Sequence, residues 1–233
     1  MDKIQLWQEA FDEVMAEEYG EVEQQNSLRS NHSFTFGHMV DEFAPIPESS
    51  LMFGVAGDGL PILLNCDDSI PKSLLTIGKS GSGKTNFLKV IAESINYAFG
   101  KRSFSVITTN RNEWSRFSGE YESLFTFGQT GADDLILSMA GNAHSTRRNG
   151  MRFLLIDGME HFDTLDIETI SNLKWLLNNG ASRGTWVIAT GSDKLLRYPI
   201  MDFFPTKVAN VNRAFFMQEG LYGFTRFSVP ISK

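Results

Sequence analysis

Short apolar runs and amphipathic segments alternate along the chain from residue 51 onward. The apolar runs predict strands, which in chain order are Ser73–Ile77, Phe104–Thr108, Leu124–Phe127, Arg152–Ile156, Thr185–Thr190 and Lys207–Val211. Apolar residues at helical spacing predict helices over Lys84–Phe99, Ala132–Ala140 and Ile167–Asn178, the last ending at Gly180 as its C′ residue. Strands that alternate with helices are typical of a mostly parallel sheet with helices on both faces. We therefore predict an α/β fold.

Two antiparallel hairpins are predicted outside this alternating core. Leu51–Val55 and Pro61–Asn65 flank Gly57-Asp58-Gly59, which is a tight-turn sequence. The aromatic-rich segment Phe215–Val229 contains two further glycines and is typical of a closing hairpin.

The first 33 residues differ from the rest in charge and periodicity. Apolar side chains at helical spacing predict an amphipathic helix over residues 2–19, and the polar residues 20–33 read as a linker. Residues 1–30 hold eight acidic side chains and two basic ones, so most of the net charge of −7 lies there. We assign residues 1–33 to an acidic arm and residues 34–233 to the main domain. The helix either packs on its own domain or docks a neighbouring subunit or a protein partner.

Composition excludes several classes of protein. The sequence has no apolar run long enough to span a membrane, so no membrane segment is expected. The single cysteine, Cys66, rules out an internal disulfide framework and any cysteine-based metal cluster. A reducing cytoplasm is the expected location. Without a dense basic run, a monomer is not expected to bind nucleic acid through bulk charge, although a ring of subunits could do so through a few basic loops.

The segment Gly78–Thr85 matches the full P-loop pattern, with an apolar strand before it and an amphipathic helix after it. Glycines allow backbone N–H groups to surround phosphate oxygens, and the positive end of the helix faces the same anion. Lys84 is expected to contact the β- and γ-phosphates, and the Thr85 hydroxyl to ligate Mg²⁺. The predicted nucleotide-binding residues are Gly78, Lys79, Ser80, Gly81, Ser82, Gly83, Lys84, Thr85 and Asn86.

The run Phe153–Asp157 is four apolar residues followed by an acid, which is the Walker B pattern, and it ends 72 residues after Thr85. Asp157 is expected to hold Mg²⁺ through water. Many ATPases place a glutamate next, to orient the attacking water, whereas this chain has Gly158. Glu160 and Glu113 are two alternatives for that role. The third alternative is that the site lacks an efficient base and that hydrolysis is slow or absent.

Several blocks of the sequence, in order along residues 50–229, resemble the FtsK/HerA group of P-loop motor ATPases. The P-loop NTPase fold of that group is RecA/FtsK-like. Residues 53–64 are similar to the strand pair before the P-loop, residues 73–88 to the P-loop block and residues 153–160 to Walker B. Residues 176–184, 186–190 and 205–209 are similar to the segments that follow.

Three positions depart from the pattern of this group. Gly158 replaces the glutamate after the Walker B aspartate, and Gly191 replaces the sensor glutamine. Residues 109–111, Thr-Asn-Arg, replace the acid-x-Lys signature.

The resemblance implies ATP as the nucleotide, Mg²⁺ as its metal and a homo-oligomeric ring with its sites between subunits. It makes Arg183 the first choice for an arginine finger that acts on a neighbour, with Arg147 and Arg148 as second choices. The implied activity is that of a motor ATPase for translocation, transfer or packaging of double-stranded DNA. The alternative is an ATP-binding assembly or regulatory subunit that hydrolyses little and docks a protein partner through its N-terminal helix.

Overall fold

The computed structural model describes residues 34–67, 73–117, 123–145, 150–211, 213–219 and 223–232. Of the first 33 residues it describes only Glu9, Asp12, Glu13 and Ala16, all helical and exposed. Most of the predicted N-terminal helix, and the whole linker, lie outside the described residues. The docking role of that helix therefore stays a prediction.

Ten strands of the described chain form one sheet. In chain order they are β1 (Ser50–Ala56), β2 (Pro61–Asn65), β3 (Ser73–Gly78), β4 (Phe104–Thr108), β5 (Ser123–Thr126), β6 (Arg152–Asp157), β7 (Thr185–Gly191), β8 (Thr206–Val211), β9 (Ala214–Glu219) and β10 (Gly223–Ser228). Their order across the sheet is β2-β1-β10-β9-β8-β3-β7-β6-β4-β5. The strands from β8 to β5 run parallel, whereas β9, β10, β1 and β2 pair antiparallel. This confirms the predicted, mostly parallel sheet with both hairpins.

The α-helices within residues 34–232 are α1 (Phe36–Phe43), α2 (Lys84–Phe99), α3 (Thr130–Ser145) and α4 (Ile167–Trp175). Short 3-10 turns cover Arg111–Phe117, Met159–Thr164, Ala181–Arg183, Asp193–Arg197 and Pro199–Phe203. The sequence did not predict α1, which the hydroxyl of Thr35 caps by accepting from the His38 N–H. None of the helices in this part of the chain combines the length and the apolar character that crossing a bilayer requires.

Apolar side chains on the two faces of the sheet form two cores. The first packs α2 against the sheet through residues such as Phe87 and Ile91. The second packs α3 and α4 through residues such as Ile136 and Leu173. Because helices cover both faces, every residue of β3, β4 and β7 is buried, and the sequences of these strands are mostly apolar, with a few serines and threonines.

The end of α4 differs from the prediction. The helix continues beyond Trp175 as a π-turn to Gly180 and then as the 3-10 turn Ala181–Arg183. Gly180 has a right-handed φ of −57°, and the left-handed residue is Gly184, with φ 80°. The prediction of Gly180 as the C′ residue was therefore wrong. Glycine is needed at position 180 for packing instead, because a Cβ there would lie 2.5 Å from the carbonyl oxygen of Thr185.

The segment after β10 returns to the start of α2. The N–H of Ile231 donates to the carbonyl of Phe34 at 2.8 Å. The amide of Asn86 donates to the Pro230 carbonyl at 2.8 Å and accepts from the Ser232 N–H at 3.0 Å. Residues 230–232 therefore brace the first turn of α2.

Candidate functional site

The carboxyl ends of the parallel strands and the turn before α2 surround a pocket of about 390 Å³. Parallel strands end at the same edge of the sheet, so residues that follow β3, β4, β6 and β7 meet there although they are far apart in sequence. The lining residues are Ser80, Gly81, Gly83, Lys84, Thr85, Thr109, Asn110, Glu113, Asp157, Gly158, Glu160, Thr190 and Gly191.

Lys84 is the cation in this lining. Its Nζ donates to the carbonyl oxygens of Gly78 at 2.9 Å and Lys79 at 2.7 Å. Burial lowers the pKa of Lys84 from its ordinary value, and the negative charges of Glu160 and Asp157 oppose that shift. The ammonium group is thus half-desolvated in front of the P-loop, where an anionic ligand would replace its carbonyl partners.

Asp157 lies at the end of β6 and is bound on both carboxylate oxygens. Oδ1 accepts from the Thr85 hydroxyl at 3.1 Å and from the Thr190 hydroxyl at 2.8 Å. Oδ2 accepts from the indole N–H of Trp114 at 3.1 Å. The P-loop threonine and the strand-end aspartate, which the sequence predicts as metal ligands, are thus in direct contact.

Sequence reasoning missed Thr190 and Trp114 as partners of Asp157. The sequence offered a partial signal for Thr190, which ends a predicted strand as Asp157 does, and the structure makes the two residues register partners on β6 and β7. No comparable signal exists for Trp114, whose position depends on how the 3-10 turn after β4 folds back over the sheet.

Glu160 lies in the 3-10 turn that follows Asp157, and its carboxylate faces the pocket. Its Oε2 accepts from the backbone N–H of Ser192 at 3.1 Å, which ties it to the end of β7. The turn is possible because Gly158 has φ 102°, a conformation that residues with a side chain rarely adopt. Position 158 thus reverses the chain and brings Glu160 to the pocket.

Glu113 also lines the pocket, from the 3-10 turn Arg111–Phe117. Its Oε1 accepts from the side-chain amide of Asn110 at 2.9 Å. The side chain is exposed, and the described bond lies within its own turn. Both carboxylates that the sequence offered as candidates therefore lie at the pocket, with different surroundings.

Other predicted residues lie away from the pocket or serve another contact. The side chain of Lys79 is exposed, that of Ser82 is buried, and the amide of Asn86 is engaged by residues 230–232. Arg183 is exposed just before β7 begins, whereas the pocket lies where β7 ends. The seven residues of β7 separate these two edges, by about 20 Å at ~3.3 Å a residue. Arg147 and Arg148 lie outside the described residues.

The donors present fit a hard divalent cation. A hydroxyl and a carboxylate meet at 3.1 Å beside the P-loop, and Mg²⁺ prefers oxygen ligands, of which the protein supplies one or two. Within the described ranges no cluster of three or more His, Cys, Asp or Glu residues forms an all-protein metal site. The site therefore suits a metal shared with a phosphate ligand.

Comparison with known proteins rests on structure alone. No family profile matches the sequence, and no curated protein matches it significantly. The chain is similar to ATPases 2 and 3 of Thermomonospora curvata EccC, in a complex with a signal sequence peptide, with a TM-score of 0.65 and 16% identity over 80% of this chain and 41% of that one. It is also similar to ATPases 2 and 3 of Geobacillus thermodenitrificans EssC, with a TM-score of 0.64 and 10% identity over 92% of this chain and 48% of that one.

A viral protein has a more distant likeness. It is the genome packaging NTPase B204 of Sulfolobus turreted icosahedral virus 2, in complex with AMP, with a TM-score of 0.52 and 14% identity. The match covers 72% of this chain and 100% of B204, whereas this chain spans less than half of the EccC and EssC chains. The sheet order, the P-loop pocket and these neighbours together show that the chain has a P-loop NTPase fold, which it shares with these ATPase domains.

Proposed function

We propose that this chain binds ATP with Mg²⁺ and hydrolyses it. The observation that carries the proposal is the 3.1 Å contact between the Thr85 hydroxyl and the Asp157 carboxylate at the mouth of the P-loop. Backbone N–H groups of the loop, the positive end of α2 and the Lys84 ammonium would bind the phosphates. Thr85 and Asp157 would hold Mg²⁺, which when bound neutralises charge that develops on the phosphates.

Of the two carboxylates, Glu160 is the better candidate to orient the attacking water. The Ser192 N–H fixes its carboxylate at the end of β7. Glu160 lines the same pocket as Lys84, and its negative charge raises the pKa of Lys84 against the larger lowering by burial. Glu113 is exposed and bound to Asn110 in its own turn. Glu160 would thus orient the attacking water, which is the role that many ATPases give to a glutamate at the position of Gly158.

We further propose that the ATPase acts in a homo-oligomeric ring that moves double-stranded DNA or another polymer. EccC is named as a Type VII secretion ATPase and B204 as a genome packaging NTPase, so related folds serve transport. Arg183 is exposed at the opposite edge of the sheet from its own pocket, so it could reach only a neighbouring subunit's site. Because the chain has a net charge of −7, bulk charge would not hold DNA, and a few basic loops of the ring would bind it instead.

One observation favours the second candidate function, an ATP-binding regulatory subunit that hydrolyses little. At Gly191, where the FtsK/HerA group that the sequence resembles has a sensor glutamine, an added Cβ would lie 2.1 Å from Cδ1 of the buried Leu195. The buried side chain of Leu195 must shift before any side chain fits at position 191. The site is thus built without that sensor, and the acidic N-terminal helix would then dock the partner.

An ATPase assay with and without duplex DNA separates the two functions. A motor should hydrolyse ATP faster with DNA, and Lys84→Ala and Asp157→Ala should each abolish turnover. Glu160→Gln should reduce turnover by about 100-fold or more while ATP still binds, and Glu113→Gln should reduce it far less. A mass measurement in solution tests the ring.

ATP binding with background turnover in wild type, and no response to DNA, would favour the regulatory subunit. Loss of activity in Glu113→Gln but not in Glu160→Gln would reverse the assignment of the base. Wild type that does not bind ATP at all would refute both functions.

A further inference from the structure

Trp114 contacts the one oxygen of Asp157 that neither threonine reaches. Its side chain is fully buried, and its indole N–H donates to Oδ2 at 3.1 Å. Thr85 and Thr190 both donate to Oδ1. A buried N–H that donates to a carboxylate is a strong, charge-assisted hydrogen bond. Rotation of the Asp157 carboxylate would break all three bonds.

The ring of Trp114 is itself held in place. The aromatic ring of Phe117 packs on it with centroids 5.5 Å apart, and the Nζ of Lys89 lies 5.9 Å from its centroid. The next turn of the same 3-10 helix is fixed by Arg116, which donates to the Ser232 carbonyl at 2.8 Å and pairs with Glu93 at 3.3 Å. These contacts hold the indole of Trp114 in position next to Asp157.

We propose that Trp114 is a positioning residue that fixes the Asp157 carboxylate for Mg²⁺, an inference that rests on the proposed binding of Mg·ATP. Groups that hydrogen-bond a metal's carboxylate ligands set ligand orientation, and their loss typically lowers metal affinity by about 10–100-fold. Trp114 is not among the residues that line the pocket, so it would act on the metal through Asp157.

Trp114→Phe removes the N–H donor and keeps most of the apolar ring. Trp186→Phe is the matched control, because Trp186 is fully buried in the same core and its indole N–H has no partner among the described residues. Binding of a non-hydrolysable ATP analogue is titrated by calorimetry in EDTA and then in a series of Mg²⁺ concentrations. Trp114→Phe should weaken Mg²⁺ in the nucleotide complex by about tenfold or more.

Nucleotide affinity without metal should not change in Trp114→Phe, and neither quantity should change in Trp186→Phe. A merely structural role would lower the Tm without this selective loss of Mg²⁺ affinity. If wild type binds Mg²⁺ and nucleotide but Trp114→Phe matches Trp186→Phe, this inference alone is overturned. A wild type that takes up no nucleotide overturns the proposed function as well.

A second measurement applies if Trp114→Phe does not fold. Wild type labelled with 5-fluorotryptophan gives four ¹⁹F resonances, assigned by elimination with Phe variants at the other three tryptophans. Adding Mg²⁺ to the nucleotide complex should shift the Trp114 resonance and leave that of Trp186 in place. A Trp114 resonance that does not respond to Mg²⁺ contradicts the inference.

Discussion

Replacing Gly158 by alanine tests why the site has no carboxylate directly after Asp157. Gly158 has φ 102° and ψ 54°, a region that residues with a Cβ rarely adopt. Its N–H lies 3.2 Å from the carbonyl oxygen of Thr190 and 3.3 Å from the Thr190 hydroxyl. The backbone at position 158 cannot rotate to a relaxed conformation without losing those contacts to β7.

The expected loss of stability in Gly158→Ala comes from backbone strain at position 158 and not from a steric clash of the new Cβ. An added Cβ would lie 3.5 Å from its nearest neighbours, His161 and Thr109, which is ordinary van der Waals contact. A residue with a side chain held in the left-handed region costs about 1–2 kcal/mol. About 1 kcal/mol shifts the Tm of a domain of this size by roughly 2–4 °C. We therefore expect Gly158→Ala to lower the Tm by about 2–8 °C.

Thermal unfolding of the ligand-free protein, followed by circular dichroism, measures this shift. Gly141→Ala is the control, because Gly141 lies within α3 and, apart from its chain neighbours and the backbone of its own helix, no described atom comes within 4 Å of an added Cβ. It should gain about 0.5–1 kcal/mol from helix propensity. An unchanged or raised Tm in Gly158→Ala would refute the explanation, since a glutamate would then be tolerated at position 158.

Three further changes have expected outcomes. Burial lowers the pKa of Lys84 below 10.5. Because ATP binding needs the protonated ammonium, ATP affinity should be full at pH values below that lowered pKa and should fall as pH rises through it. Calorimetry that shows constant affinity up to pH 10.5 would contradict this. Gly180→Ala should destabilise the fold by about 1–3 kcal/mol in denaturant unfolding, because its Cβ would press on the Thr185 carbonyl at 2.5 Å; a gain in stability would show that this contact yields. Ser94→Ala should cost about 1–3 kcal/mol and speed hydrogen exchange at Met52, whose buried N–H donates to the Ser94 hydroxyl at 2.8 Å; unchanged exchange there would count against it.

Local sequence signals predict the parallel core and the phosphate site. Mostly apolar runs mark strands buried on both faces, and the P-loop pattern lies at the boundary of a strand and a helix, as the structure has it. The proximity of Thr85 and Asp157 also follows from sequence, because Asp157 ends one parallel strand and Thr85 opens the helix that follows the P-loop at the end of another.

Contacts between distant segments could not be predicted in the same way. Asn86 stays a predicted nucleotide-binding residue, but the bonds of its side-chain amide to Pro230 and Ser232 could not be foreseen, because the sequence near Asn86 carries no sign of that segment. In the sequence, nothing distinguishes Trp114 from the other aromatic residues of the core. Only the fold brings its indole N–H to Asp157. The end of α4 was misjudged because packing against Thr185, not a left-handed turn, requires the glycine at position 180.

The position of β10 has a consequence for how the protein assembles during synthesis. β10 lies between β1 and β9 and pairs Ser228 with Val55, so the first hairpin cannot pair with the rest of the sheet until β10 has left the ribosome. Until then the hydrogen-bonding edge of β1 and buried residues such as Phe53 lack their neighbours in β10. Unpaired strand edges and exposed apolar surface promote aggregation of nascent chains. The first hairpin therefore carries an unpaired strand edge on the nascent chain until β10 is synthesised.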